Sequence, residues 1–256
     1  MTRYSVVQRN LTADEHGKGN WRGRWNLSKV APPQRHSSEI PRAELLARLD
    51  SSLDRRVTVI TASAGYGKTT LAAQWYRTLR ERGVKGAWLT LDDGDSSIEQ
   101  LLTGLIAAFA EAGVDLDWLS QAAARGLSET PSAVAFATLL EQIDAEPGEV
   151  ALVLDDYHRT HSQDINRLVN QLTRQMPANV HLLITSRERP ALSLAELKAH
   201  GQLLTLDSRD LRLSVPEARR ILPVQLSERD VETLVERAEG WPAYMEIGRA
   251  SCRERV

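Results

Sequence analysis

The sequence predicts an α/β fold: a doubly wound parallel sheet, followed by the start of a small helical domain. Three observations carry this. Short runs such as "VTVIT" (57–61), "VALVLDD" (150–156) and "VHLLITSR" (180–187) are apolar along most of their length, as strands buried on both faces are. Segments with helical spacing separate them, the alternation of a parallel sheet covered by helices. Beyond Asp210 the texture changes to short helices with no strand between them, which places a boundary near residue 212.

Each element can be read in order. "PRAELLARLDSSL" carries leucines at 45, 46, 49 and 53, a helical spacing, ahead of the β-branched run 57–61. "KTTLAAQWYRTLRERG" reads as a helix closed by Gly83, the residue type favoured just past a helix end. "GAWLTL" (86–91) is a strand, followed by two helical stretches, "SSIEQLLTGLIAAFAEAG" and "SAVAFATLLEQIDA". The strand at 150–156 ends in acid and is followed by the helix "INRLVNQLTRQM". The strand at 180–187, the helix "LSLAELKAH" and the strand "QLLTL" (202–206) complete the sheet. "VPEARRIL" and "SERDVETLVERAEG" are the helices of the small domain.

Composition narrows the function classes. With 256 residues, 42% hydrophobic and 26% charged, the chain is long enough for one large domain plus an appendage. A formal net charge of -2 supplies no basic footprint for nucleic acid. The longest apolar stretches, such as 101–110, fall short of the ~18 residues that suggest a membrane span. The N-terminus lacks the apolar core of a secretory signal, and the single Cys252 excludes an internal disulfide, so the cytoplasm is the expected location. Residues 1–30 read as a flexible leader; its "NWRGRWN" interleaves arginine and tryptophan, and a solvated or loosely docked arm explains it better than base stacking.

The chemistry concentrates in "TASAGYGKTT" (61–70), between a strand and a helix. Such a loop turns successive backbone N–H groups toward an anion at a helix N-terminus, where the helix dipole also favours negative charge. Ala64, Gly65, Tyr66 and Gly67 form the cradle, and the glycines allow backbone to approach oxygen closely. Lys68 supplies a point charge for the β- and γ-phosphates, Thr69 a hydroxyl for Mg2+, and Thr70 a contact on the α-phosphate side. The pattern G-x-x-x-x-G-K-[ST] is met except at its first position, where Ala62 replaces glycine and adds only a methyl group. With a strand before it and a helix after it, this is the phosphate-binding loop of a P-loop NTPase.

Parallel strands deliver ligands at their carboxyl ends. Asp155 is the expected Mg2+ holder, directly or through water, and Asp156 the residue that orients or polarises an attacking water. Arg187, ending the next strand, is placed to read a γ-phosphate by a charge-assisted bond. His158 and His161 lack a third ligand of matching type nearby and read as loop residues just beyond the site.

Together "APPQRHSSEIPRAELLARLD", "VTVITASAGYGKTTLAAQW", "AWLTLDDGD", "ALVLDDYH", "HLLITSRERP", "HGQLLTLDSRDLRLSVPEA" and "EGWPA" resemble one family. These are the signal-transduction ATPases with numerous domains, specifically the MalT-like, LuxR-type large ATP-binding transcriptional regulators of bacteria. The resemblance covers roughly residues 30 to 243, and alanine at the first loop position is frequent in that family. It implies an NTPase domain over 31–211 and the start of a winged-helix-like domain over 212–245. It places Pro41 and Arg42 near the adenine, Pro242 of the "GWP" turn in the small domain that closes over the base, and Arg187 as sensor. It further implies a slow ATP/ADP switch with weak hydrolysis, self-association with ATP and an inducer, and sensor repeats and a DNA-binding helix-turn-helix beyond the region present. The arginine-rich "EIGRASCRERV" (246–256) breaks the expected helix and reads as a non-native tail on an N-terminal fragment.

A true enzyme, a P-loop kinase or transport ATPase, is the alternative. No serine-glycine-glycine signature precedes the acidic strand, and no segment suggests an acceptor-binding lid.

Overall fold

A computed structural model of the protein describes residues 28–36, 39–51, 53–222 and 226–245; the tail at 246–256 and the leader up to residue 27, with its Trp/Arg segment, lie outside them. In chain order the elements are α1 (Ala43–Asp50), β1 (Val57–Thr61), α2 (Lys68–Glu81), β2 (Lys85–Thr90), α3 (Ile98–Glu111), α4 (Asp117–Ala124) and α5 (Ser132–Asp144). Then follow β3 (Val150–Asp155), a 3-10 turn (Tyr157–Arg159), α6 (Gln163–Gln175), β4 (Val180–Ser186), α7 (Ala195–Ala199), β5 (Leu203–Leu206), α8 (Val215–Ile221) and α9 (Glu228–Arg237).

The sheet order is β2-β3-β4-β1-β5, and every pairing is parallel. All carboxyl ends therefore lie along one edge, where ligands of such sheets sit. Alternate residues of each strand enter opposite layers. Leu154 and Ile184 pack under α3, α5 and α6 with Leu105, Phe136 and Leu168. Val153 and Leu183 pack under α1 and α2 with Leu49, Leu71 and Trp75. That parity decides the site: Asp155 and Thr185 continue the second set, so their side chains emerge on the α2 side.

Two local features depart from the pattern expected of the sequence. The helix α4 lies between the two helical stretches read there and buries only Leu119, Ser120 and Ala123. Eight residues starting at Asp117, with no side-chain cap from Leu116, are too few to display a period. Residues 28–30, placed in the leader, instead dock on the edge of β2. The Thr90 amide donates to the Lys29 carbonyl at 2.7 Å. The Lys29 ammonium bridges Asp92 at 3.0 Å and Asp95 at 2.7 Å. This strap occupies part of an otherwise open strand edge, and backbone bonds of this kind leave no hydrophobic period.

Beyond the sheet, Leu211 packs with the α1/α2 layer, whereas Leu213 joins Ala218, Ile221, Leu222, Val231, Ala238 and Met245 in a separate cluster. Packing thus changes hands across Arg212. Capping boxes, Ser214 with Glu217 and Ser227 with Asp230, begin α8 and α9. The Leu213 amide donates to the Gly240 carbonyl at 2.8 Å, which folds the end of α9 back onto the start of this lobe.

Candidate nucleotide site

The loop between β1 and α2 has the backbone that its glycines predict. Gly65 (φ 79) and Gly67 (φ 77) are left-handed, a region costly for residues with a Cβ. Among the described residues, no hydrogen bond occupies the amides of Ser63, Ala64, Gly65, Tyr66 or Gly67. The carbonyls of Ala64 and Gly65 are taken by the small lobe: Trp241 Nε1 donates to the first at 3.2 Å and the Ala243 amide to the second at 3.1 Å. Tyr66 and Trp241 rings stand 6.4 Å apart and tilted. A run of unpaired donors at the start of a helix is a site built for an anion.

Lys68, Thr69 and Asp155 are brought together. The Thr69 hydroxyl donates to Asp155 Oδ1 at 2.9 Å, and Thr185 Oγ1 donates to the same oxygen at 2.6 Å. The Lys68 ammonium donates to the Ser63 carbonyl at 3.0 Å. Burial pushes the Asp155 carboxyl above its ordinary value, opposed by the Thr185 and Thr69 hydroxyls. Burial likewise holds the Lys68 amine below its ordinary value; Asp156 and Asp155 oppose this and Arg187 adds to it. The hydroxyl and the carboxylate form an oxygen-only donor pair facing a phosphate loop, which fits Mg2+ better than a softer metal.

Asp156 does not continue the pleat. Its backbone is left-handed (φ 56, ψ 39), and its amide donates to Thr185 Oγ1 at 3.0 Å. Aspartate tolerates this conformation better than most residues. Its carboxylate stands 3.8 Å from Arg159 Nε and 3.9 Å from His158 Nδ1. Arg187 is exposed and lines a shallow pocket with Asp93, His158, Arg159, His161 and Glu188.

A second cavity, of about 200 Å³, opens beside the loop. Gly65, Gly67, Thr70 and Leu71 form one wall, Ile40 and Arg42 another, and Leu213, Ile221, Pro242 and Ala243 of the small lobe the third. Arg42 is 7% exposed, and its guanidinium is turned to the small lobe. It donates to Glu217 Oε1 at 2.8 Å and to the carbonyls of Leu211 at 3.1 Å and Arg212 at 3.0 Å. The cavity wall at Arg42 is thus set by its backbone, and the charged tip serves as a strut between lobes.

Thr185 escaped the reading of the sequence. Its signal was available: it has the strand parity of Asp155 and sits two residues before Arg187. Trp241, inside the "GWP" turn, was likewise not singled out as a contact of the loop.

A family model described as Nephrocystin 3, N-terminal, matches residues 41–187, more than half of the chain. The chain belongs to that family. The sequence is also similar to MalT regulators. It is 32% identical over 231 residues to the HTH-type transcriptional regulator MalT of Yersinia pestis (strain Pestoides F), covering 89% of this chain and 25% of the relative. It is also 32% identical over 233 residues to MalT of Cronobacter sakazakii, covering 90% and 25%. The chain thus spans about a quarter of these relatives. Among solved structures, a STAND protein with a tetratricopeptide repeat sensor from Pyrococcus horikoshii superposes with a TM-score of 0.58 at 17% identity, over 82% of this chain and 30% of that one. The ORC1 protein of Aeropyrum pernix, in complex with DNA, gives 0.51 at 16%, over 85% and 62%. At such identities these two establish the fold alone, and it is the α/β P-loop NTPase fold.

Proposed function

We propose that this chain is the ATP-binding switch of a MalT-type transcriptional regulator, with weak hydrolysis serving to reset it. The observation that carries the reading is the convergence of free loop amides, Lys68, and the Thr69–Asp155 pair on one end of the sheet.

In this reading the amides of Ser63 to Gly67 hold the phosphate tail, Lys68 leaves the Ser63 carbonyl for the β- and γ-phosphates, and Thr70 supports the α-phosphate side. Thr69 and Asp155 hold Mg2+, which neutralises phosphate charge when bound. Asp156 orients water, and Arg187 distinguishes triphosphate from diphosphate. The base lies in the cavity beside Arg42 and Pro242. Moving a two-state switch from 1:99 to 99:1 takes about 5.5 kcal/mol of differential affinity. A γ-phosphate bonded by Lys68 and Arg187, at ~1.5–3 kcal/mol per charged hydrogen bond, supplies that scale of energy.

The larger assignments belong to the same proposal: ATP-dependent self-association, a cytoplasmic setting, and inducer and DNA contacts made outside these 256 residues. Among the described residues no helix is long and apolar enough to cross a membrane. A steady-state turnover assay with Mg·ATP tests switch against enzyme. A rate far under the ~10 per second typical of enzymes, with ADP retained, is the expected result. A rate at or above that value contradicts the switch.

A further inference from the structure

We propose that Gln74 is a positioning residue for the nucleobase, fixing the base-side wall at a set distance from the phosphate loop. The inference rests on the nucleotide reading of the site and adds to it the residue that couples the two ends of the ligand.

Gln74 stands out on α2. Its neighbours Leu71, Ala72, Ala73 and Trp75 are buried apolar residues, and Gln74 is an amide only 8% exposed among them. A buried amide needs partners for both its oxygen and its nitrogen. The segment ahead of α1 provides both. Gln74 Nε2 donates to the Ile40 carbonyl at 2.7 Å, and Gln74 Oε1 accepts from the Arg42 amide at 3.1 Å. The two backbone groups lie on either side of Pro41, which has no amide of its own. One side chain therefore pins this stretch of backbone as a neighbouring strand would.

What is pinned is a wall of the cavity, since Ile40 and Arg42 both line it. Thr70, another lining residue, is four positions before Gln74 and so lies on the same face of α2, about 6 Å away along the axis. The loop that would hold phosphates and the wall that would hold the base are thus mounted on one rigid helix, a single turn apart. Arg42 extends the coupling, because its backbone is held by Gln74 while its guanidinium holds Glu217 and the Leu211 and Arg212 carbonyls. Neither side-chain bond of Gln74 involves the phosphate loop. Its loss is expected to reach the base and spare the phosphates.

Titration calorimetry of the whole chain with Mg·ATP and with Mg·tripolyphosphate separates the two ends. Two variants serve. Gln74→Met keeps the volume and removes both bonds; Gln74→Glu keeps the acceptor for Arg42 and sets an anionic oxygen against the Ile40 carbonyl. We expect ATP affinity to fall about tenfold in both, with tripolyphosphate affinity changed less than about twofold. An equal loss for both ligands would make Gln74 a prop for α2 and overturn the proposal, as would unchanged ATP affinity. A wild-type chain that binds tripolyphosphate as tightly as ATP overturns the base wall alone. One that binds neither overturns the nucleotide reading and this inference with it.

Discussion

The Thr69 hydroxyl reaches Asp155 Oδ1 across 2.9 Å, joining the first turn of α2 to the tip of β3. Residues far apart in sequence meet because β3 carries Asp155 on the face that α2 covers. Thr185, in the neighbouring strand β4, completes the arrangement at 2.6 Å from the same oxygen. A carboxylate so enclosed is held for a function at some cost to the fold.

That cost has a sign. Burial raises the Asp155 carboxyl in the folded state, so the folded chain binds its proton more tightly than the unfolded chain does. The group stabilises below its unfolded value, and the contribution is lost as pH rises through the folded value. At neutral pH, therefore, Asp155→Asn is expected to raise the melting temperature of the nucleotide-free chain while removing the Mg2+-dependent part of ATP affinity. Thermal melts at pH 4 and pH 7 check it: the gain over wild type is larger at pH 7.

Asp156 makes a separable prediction. Its side chain is partly exposed and makes neither of the hydrogen bonds on Asp155 Oδ1, so Asp156→Asn leaves the Thr69–Asp155 pair intact. Single-turnover hydrolysis is expected to slow by about 100-fold, the scale of a lost general base, with ATP affinity held within a factor of about three. Equal losses in both would remove the water-orienting role.

The small lobe is expected to respond to the phosphate loop through Gly65. A Cβ there would stand 2.7 Å from Ala243 Cβ and 2.8 Å from Trp241 Nε1, whereas one on Gly67 meets nothing within 4 Å. Both residues are left-handed, so each alanine substitution carries the same backbone cost of roughly 1–2 kcal/mol. Gly65→Ala is expected to lower chemical stability more than Gly67→Ala and to expose 241–245 to limited proteolysis. Identical behaviour would deny the lobe contact.

Arg42 offers a test of the strut. Arg42→Ala leaves the Leu211 and Arg212 carbonyls and the Glu217 carboxylate without this partner, a loss of about 3–5 kcal/mol for a broken buried pair. Arg42→Lys is expected to restore little, because a compact ammonium does not reproduce the forked geometry. Denaturant titration reads both.

The sheet was legible because its strands are apolar on both faces, and the loop because "GYGKTT" stands between a strand and a helix. Asp155 was legible as the last residue of an apolar run. Strand order was not, since the insertion of β4 between β3 and β1 is settled by packing of whole layers. The helix α4 was too short to show a period, and Lys29 docks through backbone and charge. The direction of the Arg42 guanidinium was hidden too, because Glu217 and two carbonyls far along the chain decide it. Gln74 had a visible mark, a polar residue inside "LAAQW", but its partners were not visible.

Titration of Mg·ATP into wild type and Lys68→Ala by calorimetry tests the central claim most directly. Removing the ammonium that faces the phosphate loop is expected to weaken binding by about 10- to 100-fold, or ~1.4–2.8 kcal/mol, with the fold retained. Equal affinity in the two proteins would contradict the account.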